Sequence, residues 1–410
     1  MTETSHKGAA LDGVVVIDLT QFESGTVCTE TLAWFGATVI KIERPGTGEQ
    51  GRTSSTDIPG EDSIHFVLLN ANKKSVTIDM KSPQGKQVLK DLIAQADVFV
   101  ENFRPGTIER LGFDYDTVSE INPRIIYAQI KGFGSGSPYA DFPAFDPVGQ
   151  ATGGSMSLTG EADGLPLRPG PNLADSGTGF HCALGILAAL YQRQFTGKGQ
   201  QIEVAMQDAI INFCRSAYGK QIITGEPTDR VGNGMPMAEV APAGLYPCAP
   251  GGANDYVYIY ASRHGDSPQW RYLLEAIGRD DLIDDPRFAT PESRYIYRKE
   301  IDNFLSEWTK QHNKIEAMEI LGKAGVPAGA VMSSKELIND TFLQERGMFT
   351  VMDHPVRGDI LMPGFPIKMT ESHVPMEASP ILGQHTDEIL TQVLNMSGEE
   401  ISKLRESGAI

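Results

Sequence analysis

Strand and helix alternate through the first 132 residues, and that alternation limits more than anything else what this chain can fold into. VVVIDL (14–19) is a short β-branched run, TVCTETLAWFG (26–36) spaces its apolar residues for a helix that stops at Gly36, and TVIKIE (38–43) is a second strand. The pattern returns with Ser82 and Pro83 as helix cap and first helical residue, Val88, Leu89, Leu92 and Ile93 on one face, and VFVEN (98–102) behind them. A short helix carrying Val118 and Ile121 leads to a further strand, IIYAQIKG (125–132). Strands separated by helices of this length predict an α/β domain, a parallel sheet with helices on both faces.

Beyond that point the pattern loosens. Residues 133–174 are rich in Gly, Pro and Asp and read as long loops. FHCALGILAALYQRQ (180–194) reads as a mostly apolar helix, QIEVAM (201–206) as a strand, and QDAIINFCRSAYGKQII (207–223) as one long amphipathic helix leaving the domain. Turns at 232–236 and 249–255, an aromatic strand YVYIYAS (256–262) and helices around 268–277, 297–311 and 314–324 predict a smaller α+β domain, and the tail from Pro355 returns to the first. The expected division is 1–205 for the first part of the large domain, 206–230 for a linker helix, 231–325 for the small domain, 326–354 for a second linker and 355–410 for the returning part.

Charge narrows the partners. Of 410 residues, 35 are Lys or Arg and 53 are Asp or Glu, for a net charge of −18, which disfavours nucleic acid and anionic lipid. The longest apolar stretch, 182–191, is short of the ~20 residues a membrane helix needs, and the polar start MTETSHKGAALDG lacks the apolar centre of a signal peptide. A cytoplasmic protein is expected. Four separated cysteines (Cys28, Cys182, Cys214, Cys248) predict reduced, buried thiols, and no ligand pattern for a metal is present. GxGxxG is missing after the first strand, and GxxxxGK[ST], HExxH, GxSxG and an EF-hand loop are missing altogether, which removes the common nucleotide, zinc-protease, serine-hydrolase and calcium readings.

Ligands of parallel α/β sheets bind outside the carboxyl ends of the strands, where Arg44, Asn102, Arg104 and Lys131 converge, with Lys73, Lys74, Lys81 and Arg110 nearby. An anionic ligand and a merely solvated set of charges fit this equally. Asp175 stands where a loop meets a helix, a place suited to an N-cap and also to an ionised carboxylate aimed at an acyl carbon. His181 reads as a packed helical histidine.

Taken in order, LDGVVVIDLT, GATVIKIERPG, NANKKSVTIDMKSPQGK, ADVFVENFRPGTIERLG, NPRIIYAQIKGFG, the DSGTG around Asp175, the stretch from GILAAL to QIEVAMQDA, GVPAG (325–329) and LGQHTDEIL (382–390) resemble the class III coenzyme A transferases of the CaiB/BaiF type. The resemblance implies a Rossmann-like large domain plus a smaller α+β domain in an interlocked, ring-like homodimer. It implies that Asp175 is the catalytic aspartate, attacking a thioester to pass through aspartyl anhydride and aspartyl-CoA thioester intermediates, with glycine amides near Asp175 or in the second domain as candidate oxyanion donors. It also places coenzyme A on Glu23, Ser24, Arg44, Ile78, Asp79, Met80, Lys81, Asn102, Phe103, Arg104, Arg110 and Lys131. CoA is then a substrate, no cofactor is permanently bound, and the partners are an acyl-CoA donor, taken as succinyl-CoA, and a carboxylic acid acceptor. Glu23 stands where formyl-CoA transferase has glutamine, and that enzyme's run of four glycines is missing after Val231, so a bulkier acid than oxalate is expected. The family's racemases carry a histidine in the segment that here reads PAFDPVG, where Phe145 takes its place. A non-catalytic acyl-CoA-binding subunit, paired with a related chain, is a third reading.

Overall fold

Six parallel strands order a computed structural model that describes residues 8–236, 238–261 and 267–410. β1 (Val15–Asp18), β2 (Thr38–Glu43), β3 (Lys73–Thr77), β4 (Val98–Glu101), β5 (Ile126–Lys131) and β6 (Gln200–Ala205) lie side by side in the order β3-β2-β1-β4-β5-β6. Alternate residues enter opposite layers. Ile17, Ile40, Phe99 and Tyr127 pack on one face with Leu89, Leu92, Val118 and the C-terminal Ile389, Leu390 and Ile401, while Val16, Val39, Val98 and Ile126 pack on the other with Cys28, Leu32, Cys182 and Ile186. Burial on both faces is why these strands read as unbroken apolar runs. The strand order reverses between β1 and β4, and the crevice at their carboxyl ends is where such sheets bind ligands.

Helices up to Phe213 are α1 (Ser24–Trp34), α2 (Ile64–Leu69), α3 (Pro83–Gln95), α4 (Thr107–Leu111), α5 (Tyr115–Ile121), α6 (Asp146–Thr152), α7 (Ser155–Leu158), α8 (Leu173–Thr196) and α9 (Met206–Phe213). α3 starts as its sequence predicts, with Ser82 accepting from the Gly85 N–H and Pro83 in the first turn. α1 is buried from Ser24 to Ala33 and has no side-chain cap.

Three elements depart from the sequence reading. The stretch 133–174 holds α6, α7 and the start of α8, which begins at Leu173 rather than near 180. Gly177 and Gly179, within α8, are contact residues: a Cβ on Gly179 would lie 2.5 Å from the Ser24 carbonyl oxygen, and one on Gly177 would lie 2.2 Å from the Phe213 ring. At 24 residues α8 is long and apolar enough to cross a membrane, contrary to the reading that no segment reaches that length, yet it is half-buried against α1, β5 and β6 as a core helix. Residues 207–223 form two helices, α9 and α10 (Tyr218–Thr224), with a 3₁₀ turn over Arg215–Ala217 between them. The apolar period survives one tightened turn, so the pattern does not register it.

The chain divides into two compact units. One comprises the residues up to Ser155, Arg168–Phe213 and Phe342–Ile410; the other comprises Met156–Leu167 and Cys214–Thr341. The second is built on β7 (Ala243–Pro247), β8 (Tyr256–Tyr260) and β9 (Ala328–Ala330), paired antiparallel, with a core that includes Val257, Ile259, Trp270, Leu273, Phe304 and Leu321. Ser262, the last residue of the strand read at 256–262, lies outside the described residues. In the first unit β10 (Phe349–His354) and β11 (Gly358–Pro363) form a hairpin. The LGQHT segment covers the exposed edge of β3: the His385 N–H donates to the Ser75 carbonyl at 2.9 Å, its Nδ1 accepts from the Ser75 N–H at 3.2 Å, and Thr386 Oγ1 accepts from the Thr77 N–H at 3.1 Å.

Candidate active site

The site forms at the reversal of strand order. Asn102, directly after β4, locks the loop that follows β1: its Oδ1 accepts from the Gln21 N–H at 2.8 Å and its Nδ2 donates to the Gln21 carbonyl at 2.8 Å and to Ser24 Oγ at 3.3 Å. Around these loops, the end of β5 and the starts of α6 and α8 lies a cavity of about 350 Å³. Phe22, Phe103, Phe142 and Phe145 give it an aromatic wall, with the rings of Phe22 and Phe145 edge to face at 6.0 Å.

The β1 loop is braced from below by buried charge. Phe22 has a φ of 58°, a left-handed conformation that a bulky residue adopts only when its surroundings fix it, and Glu49 Oε2 accepts from its N–H at 3.2 Å. Lys41 donates to the Thr20 carbonyl at 2.8 Å and lies 3.6 Å from Glu49 Oε1. Lys73 sits 3.2 Å from Asp18, which also accepts from Thr20 and Thr29. Burial pushes the Asp18 carboxyl up, but Lys73, Lys41 and the Thr20 hydrogen bonds outweigh it and hold the group below the usual carboxylate range. Sequence reading missed this network because isolated Lys and Glu in strands look like solvent-facing residues.

Asp175 is the third residue of α8 and faces the cavity. It does not cap its own helix. That role belongs to Asp146, 3% exposed, whose Oδ1 accepts from the backbone N–H of Ala174 at 2.9 Å and of Asp175 at 3.4 Å while its Oδ2 accepts from Gln150 Nε2 at 2.7 Å. Glu23 reaches the same turn from the loop after β1 and accepts from Asn172 Nδ2 at 2.6 Å and Ser176 Oγ at 2.8 Å. Burial, then the charges of Glu23 and Asp146, push the Asp175 carboxyl up to about 7. The expectation that a helix start keeps this acid ionised therefore fails, because Asp146 already occupies the amides of that turn. The Ser176 N–H bonds the Asn172 carbonyl, and Gly177 and Gly179 lie within the helix, so the amides beside Asp175 are not free oxyanion donors.

Glu23, Ser24, Asn102, Phe103, Arg104, Lys131 and Asp175 all line the cavity. Lys131 does so with its charge matched, donating to Glu101 at 2.7 Å and to the Phe103 carbonyl at 2.8 Å. Arg104 is exposed. Arg44 follows β2, and Ile78, Asp79, Met80 and Lys81 follow β3; they lie along the same sheet edge but do not line the cavity, nor does Arg110, which bonds Thr107 Oγ1 at 3.0 Å. Ile78 is fully buried in the core. His181 has both ring nitrogens engaged, Nδ1 with the Gly177 carbonyl at 2.7 Å and Nε2 with Asn212 at 2.8 Å. All four cysteines are free, and Cys214 is only partly buried. Among the described residues no three His, Cys, Asp or Glu gather to hold a metal ion.

Fold and site together define a doubly wound α/β enzyme with its ligand cavity at the switch of strand order and an acid of raised proton affinity inside it. The model of CoA-transferase family III matches residues 11–386. A formyl-CoA:oxalate CoA-transferase from Streptomyces avermitilis is 43% identical over 98% of this chain and 99% of its own, and one from Rhodopseudomonas palustris is 44% identical over 98% and 97%. Among solved structures, a CaiB/BaiF family protein from Brucella suis superposes with a TM-score of 0.81 at 32% identity, covering 94% of this chain and 99% of that one, and a hypothetical protein from Mycobacterium tuberculosis with 0.78 at 28%, covering 93% and 99%. The chain belongs to CoA-transferase family III. It is a CoA-transferase, and CoA thioesters are its substrates.

Proposed function

We propose that Asp175 is the covalent nucleophile. Its carboxylate oxygen attacks the donor thioester carbonyl, the C–S bond breaks, and CoA thiolate leaves behind a mixed aspartyl-acyl anhydride. The thiolate attacks the aspartyl carbonyl and displaces the donor acid as its carboxylate. The acceptor carboxylate attacks the aspartyl-CoA thioester, the thiolate leaves again, and its return to the acceptor's carbonyl frees Asp175 and the new acyl-CoA. CoA held along the sheet edge keeps the thiolate within reach between steps. Its anionic groups fit Arg104 and Arg44, and its pantetheine arm fits the path past Asn102 and Phe103, with Glu23, Ser24, Asp79 to Lys81 and Arg110 completing the contacts, whereas buried Ile78 and the paired Lys131 support them from the fold. The observation that carries this reading is the position of Asp175: an acid facing an aromatic-walled cavity at the carboxyl edge of the parallel sheet.

For substrates we take succinyl-CoA as donor and a carboxylic acid with a sizeable apolar body as acceptor, supported by the four phenylalanines of the wall and by the carboxylate of Glu23. The names of the relatives support a second reading, formyl-CoA with oxalate. A racemase finds no support, since Phe145 at the cavity cannot carry a proton. We further propose a homodimer working in the cytoplasm; exposed Leu184, Tyr191 and Phe195 on α8 and Ile222 and Ile223 on α10 are apolar surface that a second copy, or a related subunit, would cover. The test is a panel of acceptor acids with succinyl-CoA, acetyl-CoA and formyl-CoA, read by mass spectrometry of the CoA products. Transfer to bulkier acids with negligible formyl transfer to oxalate is expected. Efficient turnover of formyl-CoA with oxalate establishes the second reading, and α-proton exchange in D2O without an acceptor revives the racemase.

A further inference from the structure

Three carboxylates meet at the first turn of α8, and they are not equally satisfied. Asp146, from α6, is answered by two backbone amides and by Gln150, with Arg168 Nε 3.8 Å away. Glu23, from the loop after β1, is answered among the described residues by neutral donors, Asn172 and Ser176, which stand on either side of Asp175 in the sequence. Arg168 bonds the same Asn172, donating from Nη2 to its Oδ1 at 3.1 Å, but among the described residues it makes no direct contact with Glu23 or Asp175. Lys131 is paired with Glu101, Arg104 is exposed at the rim, and His181, farther along α8, bonds the Gly177 carbonyl and Asn212. Among the described residues no ion pair reaches either Glu23 or Asp175.

We propose that Glu23 is a positioning residue that acts through Asp175: its carboxylate, held against the first turn of α8 by Asn172 and Ser176, sets a negative charge beside Asp175 that governs when Asp175 can act as a nucleophile. The proposal rests on Asp175 being the nucleophile. It assigns Glu23 a task beyond contact with CoA, which is to raise the proton affinity of Asp175. The raised proton affinity of Asp175 agrees with it, Glu23 being the first charge to contribute after burial itself. A fixed negative charge beside a buried carboxyl favours its protonated form, so removing the Glu23 charge lets Asp175 ionise at lower pH.

The experiment is the pH dependence of kcat/KM for the acyl-CoA donor in the wild type, Glu23→Gln and Glu23→Ser, each scaled to its own high-pH plateau. The profile reports the free enzyme, and the substrate's phosphates titrate identically in all three. Both variants should move the acid limb to lower pH, so that at pH 6 they retain a share of their plateau roughly three- to tenfold larger than the wild type does. Two uncharged replacements of different size guard against one that folds poorly. Coincident profiles, or a limb moved to higher pH, overturn the proposal. Hydroxylamine trapping on the wild type separates the two levels: a hydroxamate at Asp175 with coincident profiles removes only the role of Glu23, whereas a hydroxamate elsewhere removes the nucleophile and this proposal with it.

Discussion

Asp146 accepts the backbone N–H of Ala174 at 2.9 Å, so the helix that carries Asp175 is capped by a side chain from another helix. The contact fixes the direction in which α8 leaves its loop and thereby where Asp175 stands.

Replacing Asp146 should uncouple chemistry from binding. Asp146→Ala leaves two amides unanswered and should lower stability by about 1–3 kcal/mol in urea unfolding. It should lower kcat at least tenfold, while Kd for CoA in calorimetry changes little. Loss of CoA affinity with kcat intact would place Asp146 in the ligand site instead.

The strands at the sheet centre were legible because residues such as Ile17, Val39 and Phe99 are buried on both faces and leave an uninterrupted apolar signature. The start of α8 was not, because Asp175, Ser176, Gly177 and Gly179 are weak helix formers whose places are set by Ser24, Val27 and Phe213 from distant parts of the chain. Asp175, Glu23 and the basic residues of the strand ends were readable as candidates from order and type. That Lys131 is neutralised and that Asp146 takes the helix amides depends on side chains far apart in sequence, which no local pattern records. Asp146 had one local signal, an Asp followed by Pro147 in a stretch read as loop, which is also how a helix start reads.

Lys131 should prove a structural cation. Glu101 is fully buried, and without Lys131 its remaining partner among the described residues is the Phe103 N–H. Lys131→Met should cost about 3–5 kcal/mol in chemical unfolding, and adding Glu101→Gln should recover much of that loss. A single variant that unfolds like the wild type but binds CoA poorly would show a direct ligand contact instead.

Arg104 should behave in the opposite way. It is exposed at the cavity rim and has no ion pair among the described residues. Arg104→Ala should weaken CoA binding roughly tenfold at low ionic strength, less in high salt, with Tm unchanged. A fall in Tm with unchanged affinity would assign it to the fold.

Glu30 offers a test of buried charge away from the cavity. It is 4% exposed and accepts from the Ala71 N–H at 2.9 Å, and burial pushes its carboxyl up to about 8 despite Lys73. An acid whose folded pKa exceeds its unfolded value of 4.5 stabilises the fold below the lower value and loses that stability as pH rises through the higher one. Glu30→Gln keeps the acceptor and removes the charge. It should therefore stabilise the protein by about 2 kcal/mol near pH 8, a gain that disappears toward pH 4.5. A variant less stable than the wild type across that range would mean that the ionised group is favoured by Lys73.

The central claim is the covalent role of Asp175, and peptide mapping after incubation with acyl-CoA alone tests it most directly. Borohydride should reduce, and hydroxylamine should convert to a hydroxamate, an aspartyl thioester at Asp175, while Asp175→Asn binds CoA through Arg104 but forms no adduct and turns over at least a thousandfold more slowly, as expected when a covalent nucleophile is removed. A label mapped to Glu23, Asp146 or any other carboxylate, or an Asp175→Asn enzyme that keeps most of its activity, would contradict it.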